Sequence, residues 1–198
     1  MAREQRPAPA FEGVVLAAGR SRRAGAFKPA LAVRGRTLVV HAAGSLLAHC
    51  RRVVVVTGHE AAQVNALVAG LAQVDTAPNP DPDGDMFSSA RVGLAAVAAD
   101  AAGVFVLPVD CPFVEPAVLD AMVAAFAAAG GCRAVVPTHG GRGGHPVLLP
   151  PAVRALAAAA TAGATLRDLV AACDPIRLPV DSAAVLTDLD TPADLDRL

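Results

Sequence analysis

Short runs of β-branched residues alternate with longer segments rich in Ala and Leu along the chain. Residues 52–57 (RVVVVT) are the clearest of these runs, and residues 60–70 form a typical Ala- and Leu-containing segment that ends at a glycine. This alternation is typical of βαβ units, in which helices connect parallel strands. The sequence therefore predicts a three-layer α/β/α fold with a mostly parallel sheet.

The same periodicity predicts the individual elements. Strands are expected over 13–18, 52–57, 74–77, 103–109, 134–137 and 147–149 and near 176–180. Helices are expected over 37–49, 60–70, 88–98 and 115–129, near 151–160 and 165–173, and from Thr191 onward. Thr37 is a candidate N-cap, and Thr191 followed by Pro192 is a typical helix start. A short antiparallel part of the sheet is expected near 134–149, around the glycine-rich turn at 140–144.

Length and composition bound the class of protein. The chain has 198 residues, of which 54% are hydrophobic. This is too apolar for a disordered chain, and the length suits one domain. We expect a polar N-terminal tail over residues 1–12 and a single domain over 13–198.

Charge and cysteine spacing exclude several kinds of partner. The 17 basic and 18 acidic residues leave a net charge of −1. No basic field is therefore available for a nucleic acid or an anionic membrane surface. No apolar stretch reaches the roughly 18 uncharged residues that a membrane span needs. The four cysteines lie far apart without C-x-x-C spacing, so we expect neither a zinc site nor disulfides, but reduced thiols in a cytoplasmic protein.

The segment from Leu16 to Lys28 contains the only lysine of the chain, whose other 16 basic residues are all arginines. It follows the first predicted strand and includes Gly19 and Gly25. Small residues let backbone N–H groups approach a phosphate closely, and Arg and Lys supply compensating charge. The segment is neither a Walker A loop nor a G-x-G-x-x-G fingerprint. From the residues alone it is either an anion-binding loop or a solvated basic loop.

The pattern L-A-A-G-x-S-x-R-x-G-x-x-K in this segment closely resembles the nucleotide-binding loop of the nucleotidyltransferases that act on the molybdenum cofactor. Ala24 stands where Met is usual in that family. The Ala-Ala-Gly form is more similar to the cytidylyltransferases than to the guanylyltransferases, in which Ala-Gly-Gly is common. The resemblance implies nucleotide-binding roles for Leu16, Ala17, Ala18, Gly19, Arg20, Ser21, Arg23 and Lys28.

Residues 84–94 resemble a second block of that family, G-M-S-S-S-L-x-x-G-L, in which serines approach the base. Ser88 and Ser89 stand at the serine positions, although an extra residue precedes Met86. The resemblance implies that these serines contact the nucleotide. The alternative from the residues alone is that they cap a helix.

Three further blocks follow in the family's order. Residues 109–112 (VDCP) resemble a D-x-P block whose Asp binds magnesium, which implies this role for Asp110, whereas Cys111 is expected to pack in the turn. Residues 188–192 (DLDTP) resemble a block whose second Asp commonly completes the metal site, which implies Asp190. Each Asp has a capping role as its alternative.

Residues 144–147 (GHPV) match the G-H-P-V block of the family. His145 stands between Gly and Pro and does not suit a regular helix. We expect it to contact the phosphate or the pterin of the acceptor. A turn histidine in solvent is the alternative.

The resemblance covers about residues 13–198 and implies a Rossmann-like nucleotidyltransferase fold of the nucleotide-diphospho-sugar transferase type. The implied activity is Mg²⁺-dependent transfer of CMP from CTP to molybdopterin or molybdenum cofactor, with release of pyrophosphate. Lys28 would contact the α-phosphate and Arg23 the β- and γ-phosphates. A molybdoenzyme is a further expected partner.

Other functions stay open at this point. Within the same class, the chain could be a guanylyltransferase or could transfer another nucleotide to a phosphorylated small molecule. Similar sequences include NAD(P)H-dependent oxidoreductases of the nicotine blue type, but no dinucleotide fingerprint is present here. A non-catalytic cofactor-binding chaperone is the third alternative, although a pure binder would not need the metal-binding carboxylates.

Overall fold

The computed structural model describes residues 11–19, 27–81, 83–189 and 194. The strands are β1 (Phe11–Leu16), β2 (Ala32–Val33), β3 (Arg36–Thr37), β4 (Cys50–Thr57), β5 (Val74–Pro78), β6 (Gly103–Pro108), β7 (Val135–His139), β8 (Arg142–Gly143), β9 (Val147–Leu149) and β10 (Ile176–Pro179). The α-helices are α1 (Leu38–Leu47), α2 (Ala61–Val68), α3 (Met86–Ala96), α4 (Pro116–Ala128), α5 (Val153–Ala159) and α6 (Leu166–Ala172). Short 3-10 helices span Lys28–Ala30 and Ala183–Leu186.

One eight-stranded sheet forms the middle layer, with the order β10-β7-β9-β6-β1-β4-β5 and with β8 paired to β7. Strand β1 runs parallel to β4 and β6, β4 parallel to β5, and β7 parallel to β10. Strand β9 runs antiparallel to β6 and β7. The predicted mostly parallel sheet, with its antiparallel part near 134–149, is confirmed.

Side chains that alternate along β1 divide the core into two layers. Val14 is buried in a cluster with residues of α3, α5 and α6, whereas Val15 is buried in a cluster with residues of α1, α2 and α4. Each fully buried Val or Leu side chain contributes about 1.5–3 kcal/mol to folding. The sheet is therefore covered by helices on both faces, as the three-layer prediction requires.

One helix start differs from the prediction. Helix α3 begins at Met86, two residues before the predicted start, because the Asp85 carboxylate accepts a hydrogen bond from the backbone N–H of Ser88 at 2.9 Å. Thr37 is the N-cap residue of α1 as predicted, although its buried hydroxyl has no hydrogen-bond partner among the described residues. The predicted helix from Thr191 falls outside the described residues.

The β2–β3 hairpin that follows the 3-10 helix at Lys28–Ala30 was not predicted from the sequence. Its two-residue turn consists of Arg34 and Gly35, which both have positive φ, at 49° and 78°. Turns of this kind match the twist of paired strands. Two-residue strands are too short to form a recognisable run of β-branched residues, which explains why they were missed.

Within the described residues, none of the helices has both the length and the apolar character needed to cross a membrane.

Candidate active site

A cavity of about 220 Å³ lies where the carboxyl ends of β1 and β6 meet the start of α3. In open α/β sheets, ligands bind outside the carboxyl ends of the strands. The lining residues are Leu16, Ala17, Ala18, Gly19, Lys28, Pro29, Gly84, Asp85, Met86, Ser89, Pro108, Val109 and Asp110. Seven of them are residues that the sequence analysis assigned to the site.

The first turn after β1 is fixed by hydrogen bonds to both neighbouring strands. The carbonyl of Leu16 accepts from the backbone N–H of Val109 at 3.1 Å, and the N–H of Ala17 donates to Val56 at 3.0 Å. These bonds hold the turn between the ends of β6 and β4. The floor of the cavity is therefore rigid main chain.

The next two backbone amides, of Ala18 and Gly19, are available to a ligand. Neither N–H has an acceptor in the part of the chain that the structure describes. Gly58 lies so close that a Cβ atom there would stand 2.3 Å from the carbonyl oxygen of Ala18. This contact positions the turn, and successive N–H groups of such a turn suit an anion.

Lys28 and Asp110 form an ion pair on the wall of the cavity. The Nζ of Lys28 lies 3.3 Å from Oδ2 of Asp110, and their side chains are 11% and 30% exposed. Lys28 begins the 3-10 helix, and Asp110 lies just beyond β6. An ammonium that is this buried but still faces a cavity suits a phosphate group as a point charge.

Three potential metal ligands cluster beside this pair. The ligand atoms of Asp110, Cys111 and Asp188 all lie within 4.8 Å of one another. The Cys111 thiol donates a hydrogen bond to Oδ1 of Asp188 at 3.0 Å. The backbone carbonyl of Asp110 accepts one from the backbone N–H of Leu189 at 2.9 Å. These bonds hold the C-terminal segment against the end of β6.

The chemistry of this cluster fits a divalent cation with oxygen ligands. Two carboxylates are the donors that Mg²⁺ prefers. Burial, together with the hydrogen bond to Asp188, raises the pKa of the Cys111 thiol, so it stays protonated and orients the carboxylate. Cys111 was expected only to pack, and this hydrogen bond was not foreseen.

Asp188 is a candidate metal ligand that the sequence analysis missed. The motif resemblance implied the second Asp of D-L-D, Asp190, which lies outside the described residues. The same motif contained the signal for Asp188, since it is the first Asp of the pair. The predicted roles of Arg20, Ser21 and Arg23 likewise fall outside the described residues.

The two predicted serines have different environments. Ser88 does not line the cavity, and its hydroxyl donates to the carbonyl of Asp85 at 2.9 Å. Ser89 is buried and lines the cavity. Asn79, which the sequence analysis did not single out, donates from its side chain to both serine hydroxyls.

His145 is half-buried, and its ring lines a second cleft next to the cavity. Its backbone N–H donates to the carbonyl of Val185 at 2.8 Å, and a Cβ atom on Gly144 would stand 2.2 Å from that carbonyl oxygen. The Nδ1 atom is buried without a partner among the described residues. Burial lowers the pKa of His145, and the carboxylates of Asp188 and Asp110 oppose this shift.

The second cleft has a volume of about 610 Å³ and lies between α6 and strands β7, β9 and β10. Its walls are mostly apolar, and Arg167 and Arg177 add positive charge. Met86, which is 53% exposed, lines both this cleft and the cavity. The two spaces are therefore neighbours, which gives a site with room for two ligands.

Comparison with known proteins places the chain in a family. Over residues 13–178, the chain matches the model of the MobA-like NTP transferase domain. It is 24% identical to the molybdenum cofactor cytidylyltransferase of Escherichia coli over 188 residues, which cover 93% of each chain.

Solved structures of similar fold include Rv0371c of Mycobacterium tuberculosis, with a TM-score of 0.80, 28% identity and coverage of 96% of this chain and 98% of that one. A structure of Rv0371c in complex with manganese has a TM-score of 0.75 at 26% identity, with coverage of 96% and 98%. A nucleotidyl transferase from Methanothermobacter has a TM-score of 0.78 at 21% identity, with 94% of each chain covered, which supports the fold alone. The predicted fold type is confirmed, and the chain belongs to the MobA-like NTP transferase family of nucleotidyltransferases.

Proposed function

We propose that the protein transfers CMP from CTP to molybdopterin or molybdenum cofactor and releases pyrophosphate. The observation that carries this proposal is the ion pair between Lys28 and Asp110 on the wall of a cavity bounded by the Leu16–Gly19 turn. One cation, one carboxylate and unpaired backbone amides at a single place are what a nucleoside triphosphate with its metal requires.

The phosphates would lie against Lys28 and the amides of Ala18 and Gly19. Lys28 neutralises charge that builds on the α-phosphate, and the amides donate hydrogen bonds without having to reorganise. Arg23 remains the residue proposed for the β- and γ-phosphates, and Arg20 and Ser21 remain proposed nucleotide-binding residues, all on the basis of the loop motif.

Asp110 and Asp188 would hold Mg²⁺, with Asp190 as a further proposed ligand. When bound, the metal neutralises phosphate charge and orients the reacting phosphate oxygens. The carboxylate donor set of Asp110 and Asp188 supports this assignment. The reported manganese complex of Rv0371c supports divalent-metal binding in a relative.

The reaction is a substitution at phosphorus. An oxygen of the acceptor phosphate attacks the α-phosphorus of CTP, a new P–O bond forms, and the bond to the β-phosphate oxygen breaks. Pyrophosphate leaves with the electrons of that bond. The residues of this chain contribute position and charge, since phosphoryl-type transfers need little covalent help from the protein.

Cytosine is the proposed base. The Ala17-Ala18 pair in the turn and the name of the Escherichia coli relative support CTP over GTP. Ser89 is the serine proposed to contact the base, because its buried hydroxyl lines the cavity. Transfer of GMP, or of another nucleotide, is the alternative within the class.

The acceptor is proposed to enter through the second cleft. Its apolar walls suit a ring system, and His145, which lines it, interacts electrostatically with the carboxylates of Asp188 and Asp110. His145 is the residue proposed to contact the acceptor phosphate or pterin, because it lines this cleft. A molybdoenzyme that receives the product is a further proposed partner, and four unpaired cysteines support a reducing, cytoplasmic setting.

The test is to incubate the purified protein with CTP, Mg²⁺ and molybdopterin and to measure both pyrophosphate and the mass of the product. We expect stoichiometric pyrophosphate and a product heavier by one CMP unit, both dependent on acceptor and metal. A GMP adduct formed faster from GTP would assign the guanylyl branch. Oxidation of NADPH without pyrophosphate release would overturn the proposal.

A further inference from the structure

Asn79 is a buried polar residue that anchors the loop between β5 and α3. Its side chain and backbone together are only 7% exposed. Its backbone N–H donates to the carbonyl of Thr57 at the end of β4, at 2.8 Å. Asn79 is therefore held at the carboxyl edge of the sheet, next to the cavity.

The orientation of the Asn79 amide is determined by a backbone donor. The N–H of Asp81 donates to Oδ1 of Asn79 at 3.0 Å. A backbone N–H can only donate, so the oxygen of the amide must face Asp81 and the NH₂ group must face the opposite way. The NH₂ group lies 3.0 Å from Oγ of Ser88 and 3.1 Å from Oγ of Ser89.

Both serine oxygens therefore accept a hydrogen bond from Asn79, but their own protons differ. The Ser88 hydroxyl donates to the carbonyl of Asp85 at 2.9 Å, so it is satisfied within the turn. The Ser89 hydroxyl has no acceptor among the residues that the structure describes. Ser89 is 7% exposed and lines the cavity, so its proton faces the space that a ligand would fill.

We infer that Asn79 is a positioning residue that makes Ser89 a hydrogen-bond donor to the base of the bound nucleotide. An isolated hydroxyl rotates, so it can donate a hydrogen bond to a ligand acceptor or accept one from a ligand donor equally well. With one lone pair of Ser89 already used by Asn79, a ligand donor at this position would leave the buried serine proton without a partner. Leaving this buried proton without an acceptor costs more free energy than the hydrogen bond from the ligand to Ser89 contributes.

The consequence is a preference for bases that present an acceptor to Ser89. On the Watson–Crick edge, cytosine presents two adjacent acceptors, the ring nitrogen N3 and the carbonyl oxygen O2. Guanine presents the donor N1–H there and offers Ser89 an acceptor only at O6. The inference rests on the proposed nucleotide site. It adds that base discrimination depends on a residue that does not line the cavity.

Asn79→Asp reverses the direction of the hydrogen bond with almost no change in shape. The oxygen that replaces NH₂ accepts a proton, so Ser89 would turn its hydroxyl toward residue 79 and away from the ligand. The bond from the N–H of Asp81 can remain. Asn65→Asp is the matched control, because Asn65 is exposed on α2 and the change adds the same charge.

The experiment measures Kd values for CTP and GTP with Mg²⁺ by titration calorimetry, after circular dichroism confirms folding. The readout is the ratio of the two Kd values. We expect Asn79→Asp to reduce the wild-type ratio by about tenfold and Asn65→Asp to leave it within twofold. Ser89→Ala should reduce it to a similar extent.

The double variant Asn79→Asp with Ser89→Ala separates positioning from a general structural role. If Asn79 acts through the Ser89 hydroxyl, the double variant should match Ser89→Ala alone. Equal weakening of both nucleotides by Asn79→Asp, or a further loss of the ratio in the Ser89→Ala background, would overturn the inference. A wild-type preference for GTP would instead overturn the proposed base while the dependence on Asn79 could still hold. No nucleotide binding by the wild type would contradict both.

Discussion

The Nζ of Lys28 lies 3.3 Å from Oδ2 of Asp110, although the two residues are 82 positions apart. The pair joins the segment after β1 to the end of β6. Both side chains line the cavity, so a phosphate and a metal could contact them from the open side. This relationship links the only lysine of the chain to the carboxylate proposed to hold the metal.

Lys28→Arg should fold normally but turn over at least ~10-fold more slowly, a loss of about 1.4 kcal/mol in transition-state stabilisation. A guanidinium is broader and planar, and the small-residue turn at Leu16–Gly19 leaves room for a compact ammonium. Steady-state pyrophosphate release measures the effect. Arg36→Lys, at an exposed position in β3, is the control and should have the wild-type rate. Wild-type turnover by Lys28→Arg would show that the position needs only positive charge.

Asp110→Asn should retain the fold and lose metal-dependent pyrophosphate release by at least about 100-fold. The change is nearly isosteric, and the backbone carbonyl of residue 110 can still accept from Leu189. A neutral amide, however, is a poor ligand for a hard cation. Rates compared at several Mg²⁺ concentrations provide the measurement. Turnover within a few fold of the wild type would remove Asp110 from the mechanism.

Gly144→Ala should destabilise the protein and reduce metal-dependent activity together. The added Cβ would stand 2.2 Å from the carbonyl oxygen of Val185, a backbone atom that cannot move alone, and overpacking typically costs about 1–3 kcal/mol. The displaced segment carries Asp188. Chemical denaturation and the Mg²⁺ dependence of turnover measure the two effects.

Gly44→Ala is the matched control for that variant. Gly44 is exposed within α1, and a Cβ there meets nothing within 4 Å. This change should stabilise the protein by about 0.5–1 kcal/mol, because alanine loses less backbone entropy than glycine in a helix. If both alanine variants behaved alike, the close contact between Gly144 and Val185 would not matter.

His145 should make the fold less stable as the pH falls. Burial lowers the pKa of His145, against the opposing carboxylates of Asp188 and Asp110, so the folded state takes up this proton less readily than the unfolded state. The unfolded state therefore gains protons first as the pH drops through the ordinary histidine value of about 6.5. His145→Gln should have a flatter dependence of unfolding free energy on pH in this range. Identical pH profiles for the two proteins would contradict this assignment.

Much of the fold could be predicted because the longer strands form recognisable runs of β-branched residues. The run at 52–57 lies within β4, and the predicted helix at 115–129 contains α4. Two-residue strands such as β2 and β3 give no such signal. The start of α3 was misjudged because the capping carboxylate of Asp85 precedes the serines that had been taken as its first turn.

The site was predicted in part for a similar reason. Motifs identified Lys28, Asp110 and Ser89, which line one cavity. Asp188 and Asn79 act through contacts with residues that are distant in sequence or on another element. A single sequence contains no record of such contacts, so Asn79 required the structure, and so did the choice of Asp188 within the D-L-D motif that had already marked this segment.

The most direct test of the nucleotide site is the thermal shift of the wild-type protein with CTP, GTP, ATP and UTP in the presence of Mg²⁺. A ligand at 100 times its Kd stabilises the folded state by about 2.7 kcal/mol. We predict the largest rise in melting temperature with CTP, and its loss in Lys28→Ala, since the pair with Asp110 forms the wall of the cavity. An unchanged melting temperature with all four nucleotides, or an equal rise in Lys28→Ala, would contradict the account.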